Sequence, residues 1–234
     1  MPTSKRPSRA TPAAAGPPAT IASYVTEELR SAILDGRYPV GSRLDQVALA
    51  GEFGASIIPV RESLRQLEAE GLVRITPRRG AFVVELTTDE VMELYKIRAA
   101  LEAFATREAV PRLTPGDLDA LASLGDELER IARRGSHERW TRVNREWHFT
   151  LYGAAQSALL MQFLSLLWDR CTLTSHLYVR DPGHRAKSVA DHKRVLQAAR
   201  RGDADEAARI VAEHVERAMR DLVAAGGDGK QKER

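Results

Sequence analysis

The sequence predicts a mainly α-helical fold: three helices closed by a β-hairpin, followed by an all-α antiparallel bundle of six helices. Three observations lead to this prediction. Apolar residues recur every three or four positions over most of the chain, which is the period of one helix face. Between residues 72 and 84 this period gives way to two short runs of apolar and β-branched residues around a Pro-Arg-Arg-Gly turn. Glycine and proline separate the periodic segments.

The first three helices follow from apolar spacing and from polar residues that can cap them. The first is expected at residues 19–35, where four apolar residues recur at every fourth position. A short second helix is expected at 45–53 and a third at 56–69, with Asp45 and Ser56 as N-caps. The apolar residues of the first helix are Ile21, Val25, Leu29 and Ile33.

The hairpin and the bundle come next. Strands are expected at 72–76 and 81–84, and three helices followed by such a hairpin outline a winged helix-turn-helix. From Thr87 onward the pattern is helical, and Thr87 and Glu90 have the spacing of a capping box. The predicted helices of this half are residues 89–109, 115–134, 137–156, 158–179, 188–201 and 204–225.

The chain is therefore expected to comprise a disordered basic arm (1–18), the winged helix-turn-helix (19–86), the helical half (87–225) and a disordered tail (226–234). No apolar stretch reaches the roughly 20 residues that a membrane span needs, and no signal-peptide core follows the basic arm. We therefore expect a cytoplasmic protein with no membrane partner. The single cysteine, Cys171, is expected to be a buried apolar residue.

The third helix is the candidate DNA-reading element, because the second helix of a helix-turn-helix motif lies in the major groove. Arg61 and Arg65 are four residues apart and share one helix face. Arginine suits guanine edges and phosphates, and Ser56 at the helix N-terminus can bind a phosphate. The other interpretation is a solvated helix face with ordinary surface arginines.

The predicted wing supplies a second basic contact. Arg78 and Arg79 lie at its tip beside Gly80, where glycine lets the backbone approach DNA closely. Between Ser56 and Gly80 the chain has five arginines and three glutamates, so this region is locally positive. The order of elements and the basic wing together favour binding to double-stranded DNA.

Three histidines in the helical half lie among apolar residues of their predicted helices: His148, His192 and His214. His192 is ten residues before Gly202 and His214 is twelve after it. In an antiparallel hairpin both lie roughly 15–18 Å from the turn, and so opposite each other. Asn144, one turn before His148, adds an amide oxygen. Three imidazoles and one oxygen suit zinc or nickel, although each histidine alone is commonly an ordinary core residue.

The N-terminal half resembles the DNA-binding domain of the GntR family. The resemblance lies in residues 32–44 (AILDGRYPVGSRL), 59–73 (PVRESLRQLEAEGLV) and 77–83 (PRRGAFV). In that family the serine that begins the recognition helix is usually followed by arginine, whereas here Ile57 and Ile58 follow it. These two residues either contact thymine methyl groups or weaken recognition, so we expect an operator unlike that of relatives.

The helical half resembles the FCD ligand-binding domain of the FadR subfamily, on residues 97–102, 144–148 and 191–196 and on His214. Metal-binding members place an acidic residue or Asn four positions before a first His, with two further His later in the chain. The resemblance therefore implies a divalent metal ion held by Asn144, His148, His192 and His214. Because Asn144 lacks the charge of the commoner Asp, we expect weaker metal binding or another ion preference.

The same resemblance implies a small organic acid as effector. A carboxylate can bind an open metal position and a guanidinium group. Arg98 is the leading candidate, because it shares its helix face with two leucines, and Arg170 and His176 are further candidates.

We therefore predict a homodimeric, sequence-specific DNA-binding transcription regulator, a repressor controlled by a small carboxylate. It is not expected to be an enzyme, because no acid–base pair in a catalytic motif accompanies the histidines. Two alternatives stay open: a non-sensing DNA-binding protein with a structural helical half, and a histidine–metal enzyme.

Overall fold

The structure is a computed structural model that describes residues 20–175 and 181–231. It confirms a mainly helical fold with a small antiparallel sheet, in which the last of three strands in the chain lies between the other two. The first strand, β1 (Arg43–Leu44), was not predicted, because two residues are too few to show an alternating pattern. The N-terminal elements, called the head below, are α1 (Ile21–Leu34), β1 (Arg43–Leu44), α2 (Gln46–Glu52), α3 (Ile57–Ala69), β2 (Val73–Thr76) and β3 (Gly80–Val83).

The remaining elements, called the bundle, are helical throughout the described residues. Thr87 and Glu90 form the predicted capping box at the start of the first of them. A 3-10 turn (Val110–Arg112) links the first two helices. The helices are α4 (Thr88–Ala109), α5 (Pro115–Arg134), α6 (His137–Gly153), α7 (Ala158–Ser175), α8 (Pro182–Arg200) and α9 (Ala204–Gln231).

Two predicted helix boundaries were wrong. Helix α8 begins at Pro182 and not at residue 188, because Asp181 accepts hydrogen bonds from the backbone N–H groups of Gly183 and His184. Proline fits at the first position of a helix, where no N–H is needed. Helix α9 continues past residue 225 to Gln231, into the segment predicted to be a disordered tail. Glycines in that segment weaken a helix by about 1 kcal/mol each but do not stop it.

The head has its own apolar core, built from the inward faces of α1 and α3 and the inner face of the sheet. One member of that core comes from the bundle: Leu173 of α7, which is 6% exposed. A second, larger core fills the bundle. Helix α7 therefore takes part in both cores, and this places the residues that precede Leu173 between the head and the centre of the bundle.

Candidate functional site

A cluster of three imidazoles lies at the centre of the bundle. His148 comes from α6, His192 from α8 and His214 from α9, and all three side chains are buried. One nitrogen from each ring lies within 4.8 Å of the others. The Nε2 atoms of His148 and His192 are 3.1 Å apart. The structure thus brings together three imidazole nitrogens that come from distant parts of the chain.

Packing on one tryptophan fixes the orientation of this cluster. The ring of His192 stacks on Trp147 with centroids 4.2 Å apart, and His148 meets the same indole edge-on. Trp147 is itself held, because its indole N–H donates to the backbone carbonyl of Leu121 at 3.0 Å. The apolar face of α6 therefore supplies both a ligand candidate and the platform that orients a second one.

Asn144 supplies the strongest indication that the cluster is built to hold something. Its Oδ1 is buried and, among the described residues, has no hydrogen-bond partner. A buried acceptor left unsatisfied costs about 1–3 kcal/mol. Asn144 and His214 line the same small cavity. Zinc–nitrogen bonds of about 2.0–2.1 Å place tetrahedral ligands about 3.3 Å apart, and the three imidazole nitrogens, all within 4.8 Å of one another, approach that spacing.

Two of the three histidines, His148 and His192, have pKa values that favour the neutral ring, the form that binds a metal. Burial lowers the pKa of His148 well below its usual range, and the neighbouring His192 and His214 lower it further. Burial has the same effect on the pKa of His192, with His214 as the second cause. Neutral imidazoles keep a lone pair for a cation.

Carboxylates stand behind two of the three rings. His148 Nδ1 is 2.9 Å from the hydroxyl of Tyr152, which donates to Glu102 at 2.6 Å. His214 Nδ1 is 3.3 Å from Asp191. Burial alone would raise the pKa of Asp191, but hydrogen bonds from His214 and Arg217 lower it to about 2. Such outer partners usually orient histidines around a metal.

A polar cavity of about 40 Å³ adjoins the cluster. Arg98, the predicted effector contact, lies in its wall, with its guanidinium 3.9 Å above the ring of Trp168. That guanidinium is already paired with the fully buried Glu102, so its charge is largely compensated. The polar lining also includes Thr141, Thr172, His184 and Ser188.

Arg170, another predicted effector contact, is not among the residues that line this cavity. It projects from α7 towards the head, where a Cβ added to Gly71 would be 3.0 Å from its Nε atom. Helix periodicity does not tell which neighbour a half-buried side chain meets. His176 lies outside the described residues.

The sequence analysis missed His184, which lines the cavity and bonds to Asp221 at 2.7 Å. Burial lowers its pKa, and the hydrogen bond to Asp221 partly opposes that effect. The sequence signal for this residue is Asp181-Pro182-Gly183, in which an N-cap residue precedes proline at the first position of a helix.

The candidate DNA-reading residues lie together on the outer surface of the head. Ile58 is 69% exposed and Ile57 is 39% exposed, at the N-terminus of α3. Arg61 and Arg65 are exposed on the same helix, and the Nε of Arg61 donates to Gln46 of α2 at 2.9 Å. Ser56 occupies the N-cap position, but its hydroxyl makes no capping hydrogen bond, contrary to prediction. That exposed hydroxyl is therefore available to a phosphate.

The wing brings an unpredicted arginine to this surface. Arg78 has a left-handed backbone with φ of 62°, and Gly80 has φ of 106°, so the tip is a tight turn. Arg79 is exposed beside them. A Cβ at Gly80 would lie 3.2 Å from the Nε of Arg43, which belongs to β1. The sheet thus places Arg43 beside the Arg78–Gly80 tip.

Comparison with known proteins matches two stretches of the chain to described families. Residues 21–83 match the family described as "Bacterial regulatory proteins, gntR family". Residues 93–217 match the FCD domain. Over the described residues, no helix is long and apolar enough to cross a membrane.

Several relatives are similar over most of their length. The HTH-type transcriptional regulator YdhC of Bacillus subtilis is 28% identical over 80% of this chain and 84% of that protein. McbR of Escherichia coli is 29% identical over 81% of this chain and 86% of that protein. The solved structure of McbR has a TM-score of 0.78 and 26% identity, covering 88% of this chain and 98% of its own.

A further match covers a shorter stretch of the chain. The gluconate operon transcriptional repressor of Bacillus subtilis is 38% identical over 86 residues, which are 37% of this chain and 35% of that protein. These relatives are described as transcription regulators, not as enzymes.

Proposed function

Because this chain belongs to the GntR family of bacterial transcriptional regulators and carries an FCD domain, we propose that it is a homodimeric repressor. The head (residues 19–86) binds a two-fold symmetric operator. The helical half (87–225) binds a small carboxylate beside a divalent metal ion, zinc or nickel, and this ligand changes operator affinity. The observation that carries the proposal is the position of α7, which lines the cavity and completes the head core.

Four residues hold the metal ion: Asn144, His148, His192 and His214. The unsatisfied Oδ1 of Asn144 and the convergence of the three imidazole nitrogens within 4.8 Å support this assignment. When bound, the ion supplies a Lewis-acidic position to which a carboxylate oxygen can bind.

The effector is a short carboxylate, because the cavity holds only about 40 Å³. The hydroxyl groups of Thr141, Thr172 and Ser188 in the cavity wall orient the ligand. Trp168 adds a buried indole N–H that has no hydrogen-bond partner among the described residues. Arg98 contributes hydrogen bonds more than charge, because Glu102 already balances it.

The signal passes along α7. Trp168, Cys171 and Thr172 line the cavity, and Leu173, the next residue, is buried in the head core. One further contact joins the halves nearby, between Arg170 and Gly71. A small rotation of this helix turn, caused by a ligand against Trp168, therefore repositions the head. Two heads on one operator must match the repeat of the duplex, so a small displacement changes affinity.

An apolar strip on α4 and α7 supports the homodimer. The two helices pack side by side. Their outer surfaces carry four exposed apolar side chains in the described chain, each about half exposed or more. These residues are Ile97, Phe104, Leu159 and Phe163. Isolated exposed apolar residues are ordinary, but a pair at helical spacing on each of two adjacent helices is typical of an interaction surface. A two-fold operator also calls for a two-fold dimer.

Binding to the DNA upstream of its own gene tests the regulator itself. We expect Arg61→Ala to weaken specific binding by about 1–3 kcal/mol, or roughly 5- to 150-fold. The control is Arg201→Ala, which removes an equally exposed arginine at the end of α8, away from the head. Equal binding by wild type and Arg61→Ala would remove Arg61 from the DNA interface.

A further inference from the structure

We infer that Tyr152, held by Glu102, is a positioning residue that keeps the proton of His148 on Nδ1 and leaves its Nε2 lone pair for the cation. This inference rests on the metal site of the proposed function. It concerns a chain of three buried side chains that joins α4 to α6 behind the histidine cluster: Glu102, Tyr152 and His148.

The chain begins with a carboxylate that can only accept hydrogen bonds. Glu102 is fully buried, and its Oε1 pairs with Arg98 one turn earlier on α4. Its other oxygen, Oε2, faces the Tyr152 hydroxyl at 2.6 Å. Because an ionised carboxylate has no proton to give, Tyr152 must donate to it.

That donation decides the next hydrogen bond. A phenol has one hydroxyl proton, and Tyr152 donates it to Glu102. The Tyr152 oxygen can therefore only accept a hydrogen bond from His148. His148 Nδ1 is 2.9 Å from that oxygen. His148 must therefore carry its proton on Nδ1, and a neutral imidazole then has its lone pair on Nε2, the atom that faces the cluster.

The other two rings have no such one-way chain. His214 Nδ1 lies 3.3 Å from Asp191 and 3.2 Å from Arg217, so it faces both an acceptor and a donor. His192 Nδ1 is buried and has no partner among the described residues. Its Nε2 is 3.1 Å from Nε2 of His148, which carries a lone pair. In the metal-free protein His192 therefore has its proton on Nε2, and a bound cation would replace that proton. Among the three rings, only His148 has its tautomer fixed by hydrogen-bond partners outside the cluster.

Two substitutions act on this chain in different ways. Tyr152→Phe removes the hydroxyl, so the Nδ1 proton loses its acceptor and either tautomer of His148 can form. Glu102→Gln is closer to isosteric and reverses the chain. With its amide oxygen towards Arg98, the new side chain donates to the oxygen of Tyr152, and Tyr152 then donates to His148 Nδ1.

The experiment reads the His148 tautomer in the metal-free full-length protein by ¹⁵N NMR of the imidazole nitrogens, and Zn²⁺ affinity by competition with a chromophoric chelator. We expect Nδ1–H in the wild type, a mixture in Tyr152→Phe and Nε2–H in Glu102→Gln. We expect Zn²⁺ to bind about 10- to 100-fold more weakly to both variants. Thr106→Val is the matched control, because Thr106 is also fully buried on α4 and its hydroxyl donates to the backbone carbonyl of Glu102, not to the histidine cluster; the Zn²⁺ affinity of this variant should stay within about threefold of the wild type.

Nε2–H on His148 in the metal-free wild type would overturn the inference, and this readout needs no variant to fold. Unchanged Zn²⁺ affinity in both Tyr152→Phe and Glu102→Gln would also overturn it. A wild type with Nδ1–H on His148 that binds no Zn²⁺ would support the positioning role of Tyr152 and would instead remove the metal from the proposed function.

Discussion

In the head, the residues assigned to DNA are exposed and lie on neighbouring elements, whereas in the bundle the candidate ligands are buried and come from three separate helices. Ile58 at the tip of α3 is 69% exposed, and His148 is 1% exposed. An exposed residue can be replaced with little effect on folding. A buried polar cluster, in contrast, is tied to core packing, so its function and its stability change together.

The two regions meet at helix α7. Truncation of Leu173, its residue in the head core, should produce the largest change in stability. Leu173→Ala should lower the free energy of unfolding by about 2–5 kcal/mol, because it opens a cavity in the head core. Urea denaturation measures this. Val47→Ala, on a side chain that is 69% exposed in the same head, should change stability by less than about 0.5 kcal/mol. Similar values for the two variants would mean that Leu173 does not join the cores.

A charge at position 144 tests the buried site directly. Asn144→Asp should tighten Zn²⁺ binding by roughly tenfold, about 1.4 kcal/mol, because a carboxylate attracts the ion where an amide does not. Asn144→Ala should weaken binding. Chelator competition gives both values. If Asn144→Asp and Asn144→Ala bind Zn²⁺ equally, residue 144 is not a ligand.

The stability that the buried histidines of the bundle contribute should depend on pH. The pKa values of His148 and His192 are lowered in the folded protein, with burial as the main cause. Below about pH 6.5, the usual pKa of histidine, the unfolded chain therefore takes up protons that the folded chain does not. The stability that these residues contribute is complete above that pH and decreases as the pH falls. Urea melts of chelator-treated protein between pH 8 and pH 5 should show this decrease, and His148→Ala should reduce it; a flat profile would contradict the neutral cluster.

The smallest effect is expected at the wing. Arg43→Ala should weaken binding to operator and to unrelated DNA alike and should reduce the salt dependence by about one ion. Titrations at several salt concentrations measure the slope. A loss confined to the operator would place Arg43 on a base edge and not on a phosphate.

Much of this contrast was predictable from sequence, for physical reasons. Asp45 and the Thr87–Glu90 capping box were identified because capping depends on neighbouring residues. His192 and His214 were placed opposite each other because the helix rise is constant. The same local reasoning failed for His184, whose helix starts with Pro182, and for Arg43, whose strand is too short to show a pattern.

Contacts between the head and the bundle could not be predicted, because local sequence patterns do not show which distant elements pack together. Leu173 has the sequence pattern of any apolar helix residue, and only the packing of the whole chain assigns it to the head core. Arg170 was assigned to the effector and lies instead against Gly71. The Tyr152–Glu102 contact spans 50 positions, a separation at which spacing carries no information.

Operator affinity measured with and without ligand tests the central claim most directly. Fluorescence anisotropy at fixed salt would compare chelator-treated protein, Zn²⁺-loaded protein, and Zn²⁺-loaded protein with acetate, pyruvate, malonate or succinate. We expect at least one of these carboxylates to change the Kd for operator by roughly 5- to 150-fold in the wild type, as is typical of coupled sites. The same ligand should bind His148→Ala more weakly than it binds the wild type. It should also change the operator affinity of this variant less. If Zn²⁺ and all four carboxylates leave the wild-type Kd unchanged while DNA binding is intact, the bundle is a structural domain and not a sensor.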